Sequence, residues 1–284
     1  MDRRQHRRAG KTAVTVGLVV GLGTCATGCG GAAAEGAGGG TGDSAVTVLR
    51  HAADALRAAA TSRVTTSMEM ATGGTRVTIR GKGGYDYRHQ LGELTVVLPQ
   101  DPAGTPEHRP ITELLAPGAL FMKNRGAGVP ADKWVRVETA SLSDGNLVTG
   151  GATDPFAATE LLLGTRTAIY LGRTEVAGTA VRHYRGTADL AVAARAASAG
   201  SRPALTAAAK GFATAEVPFD AYLDDEGRVR KLRQRFSFVN DTGKGTVAVA
   251  STTLLYDFGT PVDVRLPRPR DIYAGRIAEN QPAH

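Results

Sequence analysis

From Val64 onward the apolar residues of this chain tend to recur at every second position. Val64, Thr66, Met68 and Met70 alternate with Thr65, Ser67 and Glu69, and Val77 and Ile79 alternate with Arg76, Thr78 and Arg80. A period of two sends successive side chains to opposite faces, so each run reads as a strand with one face fit for burial. Further strands are expected at Leu94–Leu98, Gly118–Lys123, Lys133–Glu138, Thr167–Glu175, Ala180–Thr187, Val217–Leu223, Val229–Phe238 and Thr246–Tyr256. Short turn signals join many of them, at Gly73-Gly74, at Ala177-Gly178-Thr179 and at Asp224-Asp225-Glu226-Gly227. Local hairpins imply antiparallel pairing. Pro99 to Pro110 is polar and proline-rich and reads as a loop.

Helical spacing occurs in three places. Ala45, Val48, Leu49, Ala52, Ala53, Leu56 and Ala59 predict one amphipathic helix, capped at Asp43-Ser44 and ending near Ala60. Asp154-Pro155 starts a short helix that Gly164 ends, and Ala188–Phe212 is alanine-rich and broken at Ser198–Pro203. The fold class is therefore α+β: a single large curved antiparallel sheet, a half-barrel, wrapped around a few helices.

The first residues carry a different message. Arg3, Arg4, Arg7, Arg8 and Lys11 precede an uncharged run from Thr12 to Gly28, the order of a secretory signal. Its 17 residues are at the short limit for a spanning helix, and its glycines weaken a permanent-anchor reading. Ala26-Thr27-Gly28-Cys29 resembles a bacterial lipobox, in which the cysteine thiol receives a diacylglyceryl group and the signal is cut before it. Cys29 is thus the expected lipid anchor. An ordinary cleaved signal with an incidental cysteine is the alternative. Arg7-Arg8 leaves a twin-arginine route open beside the general secretory one. The expected organisation is a signal over 1–28, a Gly/Ala-rich tether over 29–43, one domain over 44–274 and a frayed tail over 275–284.

Composition limits the remaining classes. Of the formal charge of +7, only +3 belongs to residues after Gly28. That is no nucleic-acid signature and makes a weak polybasic anchor. Both cysteines, Cys25 and Cys29, lie in or beside the signal, so the domain has no disulfide and no cysteine metal site. No catalytic motif stands out: there is no nucleophile elbow, and Gly81-Lys82-Gly83-Gly84 lacks the spacing of a phosphate loop and reads as a bend in a curved strand. No catalytic residue, metal or cofactor is expected, and the chain is read as a non-enzyme. Lys231, Arg233 and Arg235 share one strand face, either a solvated outer face or a site for anionic lipid headgroups.

A curved sheet has a concave apolar face. Val64, Met68, Met70, Leu94, Val96, Leu232, Phe236 and Phe238 are the candidates to line it. They either enclose a flexible apolar ligand or close into a dry core, and the sequence leaves both open.

Several stretches together resemble the actinobacterial LppX/LprG-type lipoproteins, distant in fold relation to the Lol lipoprotein carriers. They are Asp154-Pro155, Ile169–Gly178, His183–Thr187, Val217–Leu232 and Tyr256–Val264, and the likeness runs from the lipobox to about Pro267. The resemblance implies a half-barrel around helices with an apolar cavity for the acyl chains of a lipid or lipoglycan. It also implies a place on the outer face of the cell membrane, held there by N-terminal acyl groups, and a partner among envelope transporters. The alternative is a non-enzymatic envelope sensor or protein-interaction lipoprotein.

Overall fold

The structure is a computed structural model that describes residues 42–72, 75–98, 109–126, 128–148, 153–239 and 246–274. The signal, Cys29, the tether and the tail from 275 lie outside the described residues.

Helices α1 (Gly42–Arg50) and α2 (Ala52–Ala59) come first, followed by strands β1 (Thr61–Thr72), β2 (Thr75–Asp86) and β3 (Leu91–Val97). Next are β4 (Ile111–Ala116), β5 (Ala119–Lys123), β6 (Val135–Glu138) and helix α3 (Pro155–Glu160), which tightens into a 3-10 turn over Leu161–Gly164. Strands β7 (Thr165–Val176) and β8 (Thr179–Asp189), helices α4 (Leu190–Ala196) and α5 (Arg202–Gly211), and strands β9 (Glu216–Leu223), β10 (Val229–Val239) and β11 (Thr246–Tyr256) complete the order. The strands form one sheet in the order β6-β5-β4-β3-β2-β1-β11-β10-β9-β8-β7, with each neighbouring pair antiparallel. The helices fill its concave face, and that α+β half-barrel is the class the alternation predicts. The segment from Gly42 carries a complete core of its own.

Local chemistry explains several elements. Asp154 Oδ1 accepts from the Phe156 and Ala157 N–H groups, and Pro155 at the first helical position starts α3. Asp189 caps α4 through the Val192 N–H. The β7–β8 turn places Ala177 at φ 48° and Gly178 at φ 78°, the left-handed pair a tight hairpin needs. The first helix is not continuous as expected. It starts at Gly42 and breaks at His51, whose N–H reaches back to Val48 and whose Nδ1 lies 2.8 Å from the Thr47 carbonyl oxygen.

Strand β4 was not foreseen. Ile111-Thr112-Glu113-Leu114-Leu115-Ala116 does not alternate because the strand is covered on both faces. Ile111 and Leu115 join the main core, while Leu114 packs outward with Ala119 and Phe121 in a second cluster. A strap from Asp257 to Tyr273 covers that outer cluster. It begins where the Gly259 N–H donates to Thr61 and passes Val262 over Gly84, where a Cβ would be in tight contact with it. Its end pairs with Trp134 at the rim of β6, where Tyr273 N–H donates to Trp134 and Trp134 N–H to Asp271. Gly83 answers a different constraint, since a Cβ there would overlap the Glu93 carbonyl oxygen. The glycine run is thus the bend in a curved strand that its sequence indicated.

Candidate functional site

Cross-strand register sets the concave face. Val64 lies opposite Gly83 and Leu255, and Gly83 opposite Leu94. Val96 faces Gly81, Met68 faces Ile79, Leu232 faces Thr253, and Phe236 faces Val249. Met70 pairs with Val77, and Phe238 with Val247. All eight candidates therefore stand on one face and belong to one apolar cluster. Val64, Met68, Leu94, Val96, Leu232 and Phe236 are buried in it, while Met70 and Phe238 are only half-buried.

The two ends of this face differ. At the end where β2 finishes, Tyr85, Tyr87 and Phe156 pack ring against ring, with centroids 5.2, 6.0 and 6.4 Å apart. The Tyr87 hydroxyl bonds Ser62 Oγ at 2.6 Å. Arg57 lies over Phe156 at 4.8 Å and donates to Glu160, whose carboxylate also accepts from the Ser198 N–H and hydroxyl. Burial is thus matched by hydrogen bonds, and this end is sealed. At the opposite end, Met70, Val77, Leu98, Phe238 and Val247 are partly open. The nearby Phe212 after α5 stacks on Phe236 at 4.8 Å and limits the opening on the helix side.

Between the ends, the floor is shallow and partly polar. Gly81 and Gly83 offer no side chain, and Thr66, Thr253 and Ser251 offer small ones. Ser251 Oγ bonds Thr153 Oγ1 at 2.7 Å, and Gln234 Nε2 donates to the Ala158 carbonyl, so α3 and the residues before it sit down on this floor. The helices are rich in buried alanine: Ala52, Ala53, Ala157, Ala158, Ala193, Ala204 and Ala208. Each alanine buries little apolar area.

Two carboxyl groups depart from their ordinary behaviour. Glu113 stands on the concave face between Leu94 and Met122, fully buried, and neither of its oxygens has a hydrogen-bond partner. Burial pushes its pKa up to about 8, against a smaller opposing pull from Arg125. Asp154 is pushed up to about 6 by burial, with the N–H groups it caps acting the other way. Asp154 and Tyr85 also line a cavity of about 20 Å³ with Ser201, Thr139 and Asn146. Thr139 Oγ1 and the Asn146 amide have no protein partner, and the cavity is large enough for a bridging water. Sequence reasoning missed Glu113 and the Arg57–Glu160 pair. A carboxylate directly before the apolar run Leu114-Leu115-Ala116 was the available sign of the first.

The outer face carries the basic cluster. Asp220, on β9, is buried there: His183 Nε2 lies 3.0 Å from its Oδ1, Arg185 Nε donates to Oδ1 at 2.8 Å, and Arg235 Nη2 donates to Oδ2 at 3.2 Å. Burial acts to raise the Asp220 pKa, but these hydrogen bonds prevail and lower it. Among the described residues no group of three His, Cys, Asp or Glu side chains could hold a metal ion, and no helix is long and apolar enough to cross a membrane.

No protein-family model matches the chain, and no curated protein does. Solved structures similar to it include lipoprotein LppX of Mycobacterium tuberculosis, 12% identical, covering 78% of this chain and 99% of that one with a TM-score of 0.47. LprF of Mycobacterium bovis is 15% identical, covering 79% and 97% with a TM-score of 0.39. A LolA superfamily protein of Nitrosomonas europaea is 11% identical, covering 75% and 94% with a TM-score of 0.34. The chain is thus similar in fold, at low identity, to LppX, LprF and a LolA superfamily protein, in line with the resemblance seen in its sequence.

Proposed function

We propose that this protein is an exported, lipid-anchored envelope protein that takes up the acyl chains of a lipid or lipoglycan between its concave face and its helices. The observation that carries the reading is the asymmetry of that face, sealed by aromatics and an ion pair at one end and half-open at Met70, Val77, Leu98, Phe238 and Val247 at the other. An acyl chain inserted there meets apolar side chains and alanine-rich helices. Each buried methylene contributes about 0.8 kcal/mol, with no need for catalytic chemistry. The eight residues from Val64 to Phe238 are the lining proposed for the bound chain.

The test is uptake. Protein purified from its native envelope should release lipid into organic solvent, seen by mass spectrometry, and should bind a fluorescent fatty-acid probe. Met70→Glu with Phe238→Glu should weaken probe binding at least about tenfold, because each charge would have to enter an apolar mouth. Absence of extractable lipid together with absence of probe uptake would end this reading.

Cys29→Ala addresses the anchor. Loss of the thiol should release the protein from the membrane fraction or leave the signal uncleaved. Stable anchoring needs two acyl chains or one chain with a polybasic patch, and the charge after Gly28 is only +3. Normal processing and retention of the variant in fractionated cells would contradict the anchor.

A further inference from the structure

We infer that the outer face of β8, β9 and β10, together with the exposed edge of β7, is a docking surface for an anionic lipid bilayer. The register places the residues side by side. Ile169 lies opposite Arg185, Arg185 opposite Asp220, and Asp220 opposite Arg233. In the next row His183 faces Tyr222, and Tyr222 faces Lys231. At about 4.8 Å per strand, these four strands span about 15 Å. Asp220 is the sole acid in these two rows of four strands, and its buried carboxylate is already engaged.

That carboxylate organises the face instead of neutralising it. It holds one nitrogen each of Arg185 and Arg235, whose side chains remain 58% and 44% exposed. The guanidinium groups are therefore positioned in advance and retain N–H groups facing outward. Fixed guanidinium forks suit phosphate oxygens. Lys231 lies over the Tyr222 ring at 5.1 Å, and His183 stacks on the same ring with centroids 4.1 Å apart. A tyrosine beside a lysine fits the level of lipid headgroups.

Apolar surface continues directly from the cations. Ile169 is 57% exposed, and Leu171, at the bulge in β7, is 44% exposed. An open groove of about 360 Å³ runs between Ile169, Pro218 and the two arginines. Exposed aliphatic residues at the margin of a basic face match an interface that is charged at headgroup level and apolar just beneath. An acidic protein partner would use the cations without the aliphatic rim. The inference rests on the anchored reading only for bringing a bilayer within reach.

The experiment uses the segment from Gly39 onward, which holds the complete core and lacks Cys29, so vesicle binding reports the face and not an acyl anchor. It should sediment with phosphatidylcholine vesicles containing about a third phosphatidylglycerol and not with pure phosphatidylcholine vesicles. At about fivefold per cation near such a surface, Lys231→Gln with Arg233→Gln should lower partitioning about 25-fold. Ile169→Ser with Leu171→Ser should lower it about tenfold, with melting curves unchanged for both pairs. Equal binding to neutral and anionic vesicles, or binding unchanged in the Lys231/Arg233 pair, overturns the inference. So does polyglutamate competition that leaves the Ile169/Leu171 pair indistinguishable from the parent, which assigns the face to an acidic protein. The neutral-versus-anionic comparison needs no variant and stands even if one fails to fold. Failure here leaves acyl-chain uptake untouched, because that is read from the opposite face of the sheet.

Discussion

Glu113→Gln raises the stability of the protein at pH 7 by about 3 kcal/mol and removes most of the pH dependence of its unfolding between about pH 4.5 and 8. The sign follows from the raised pKa. An unfolded Glu113 titrates near 4.5, whereas the folded one, moved by burial, titrates at about 8. Between those values the folded protein holds a proton that the unfolded chain releases. Stability is therefore greatest below about pH 4.5 with respect to this group and is lost as pH rises through 8. The difference of the two pKa values corresponds to about 5 kcal/mol over the whole window. Glutamine keeps the shape and cannot ionise. In a domain of this size the gain at pH 7 should raise Tm by roughly 5–10 °C. Thermal melts of both proteins at closely spaced pH values provide the check. A variant whose melting temperature retains the parent's slope above pH 5 would show that Glu113 is already paired or solvated.

Arg57→Met has the second large effect and the opposite direction. Glu160 is fully buried, and Arg57 Nη2 donates to it at 2.7 Å while Nη1 donates to Asp54. The guanidinium also covers the Phe156 ring. Its removal leaves a buried carboxylate with only the Ser198 groups as partners. Breaking a buried pair by deleting one member costs about 3–5 kcal/mol. Arg57→Lys should recover part of this, because the charge returns without the planar fork. The double change Arg57→Met with Glu160→Met should recover more, because no lone charge remains. Urea unfolding curves of the three variants decide the matter. A loss under about 1 kcal/mol for Arg57→Met would mean that the pair contributes little beyond what the Ser198 contacts supply.

These two residues also mark where the sequence could be read and where it could not. β1, β2, β10 and β11 cover an apolar core on one face and are largely polar on the other, so their alternation was legible. Asp154-Pro155 and the Ala177-Gly178 turn carry local chemistry that specifies geometry without tertiary help. β4 was lost because it is packed on both faces and because Glu113 occupies an inward position that an apolar residue would ordinarily take. The Arg57–Glu160 pair joins positions 103 residues apart, and no local pattern records such a partner. The concave face was legible as a set of eight residues. Its division into a sealed and a half-open end was not, since that depends on which helices lie over each strand.

The strap from Asp257 to Tyr273 has a mechanical consequence. It is tied to β1 through Thr61 at its start and to the rim of β6 through Trp134 at its end, so it braces the shell from outside across β1 to β6. Across β8 to β10 the outer ties are single side chains: Arg185 and Arg235 meet on Asp220, and Arg230 reaches Thr179. A strap fixed at both ends resists flattening of the strands it crosses, so β1 to β6 are held to their curvature from outside.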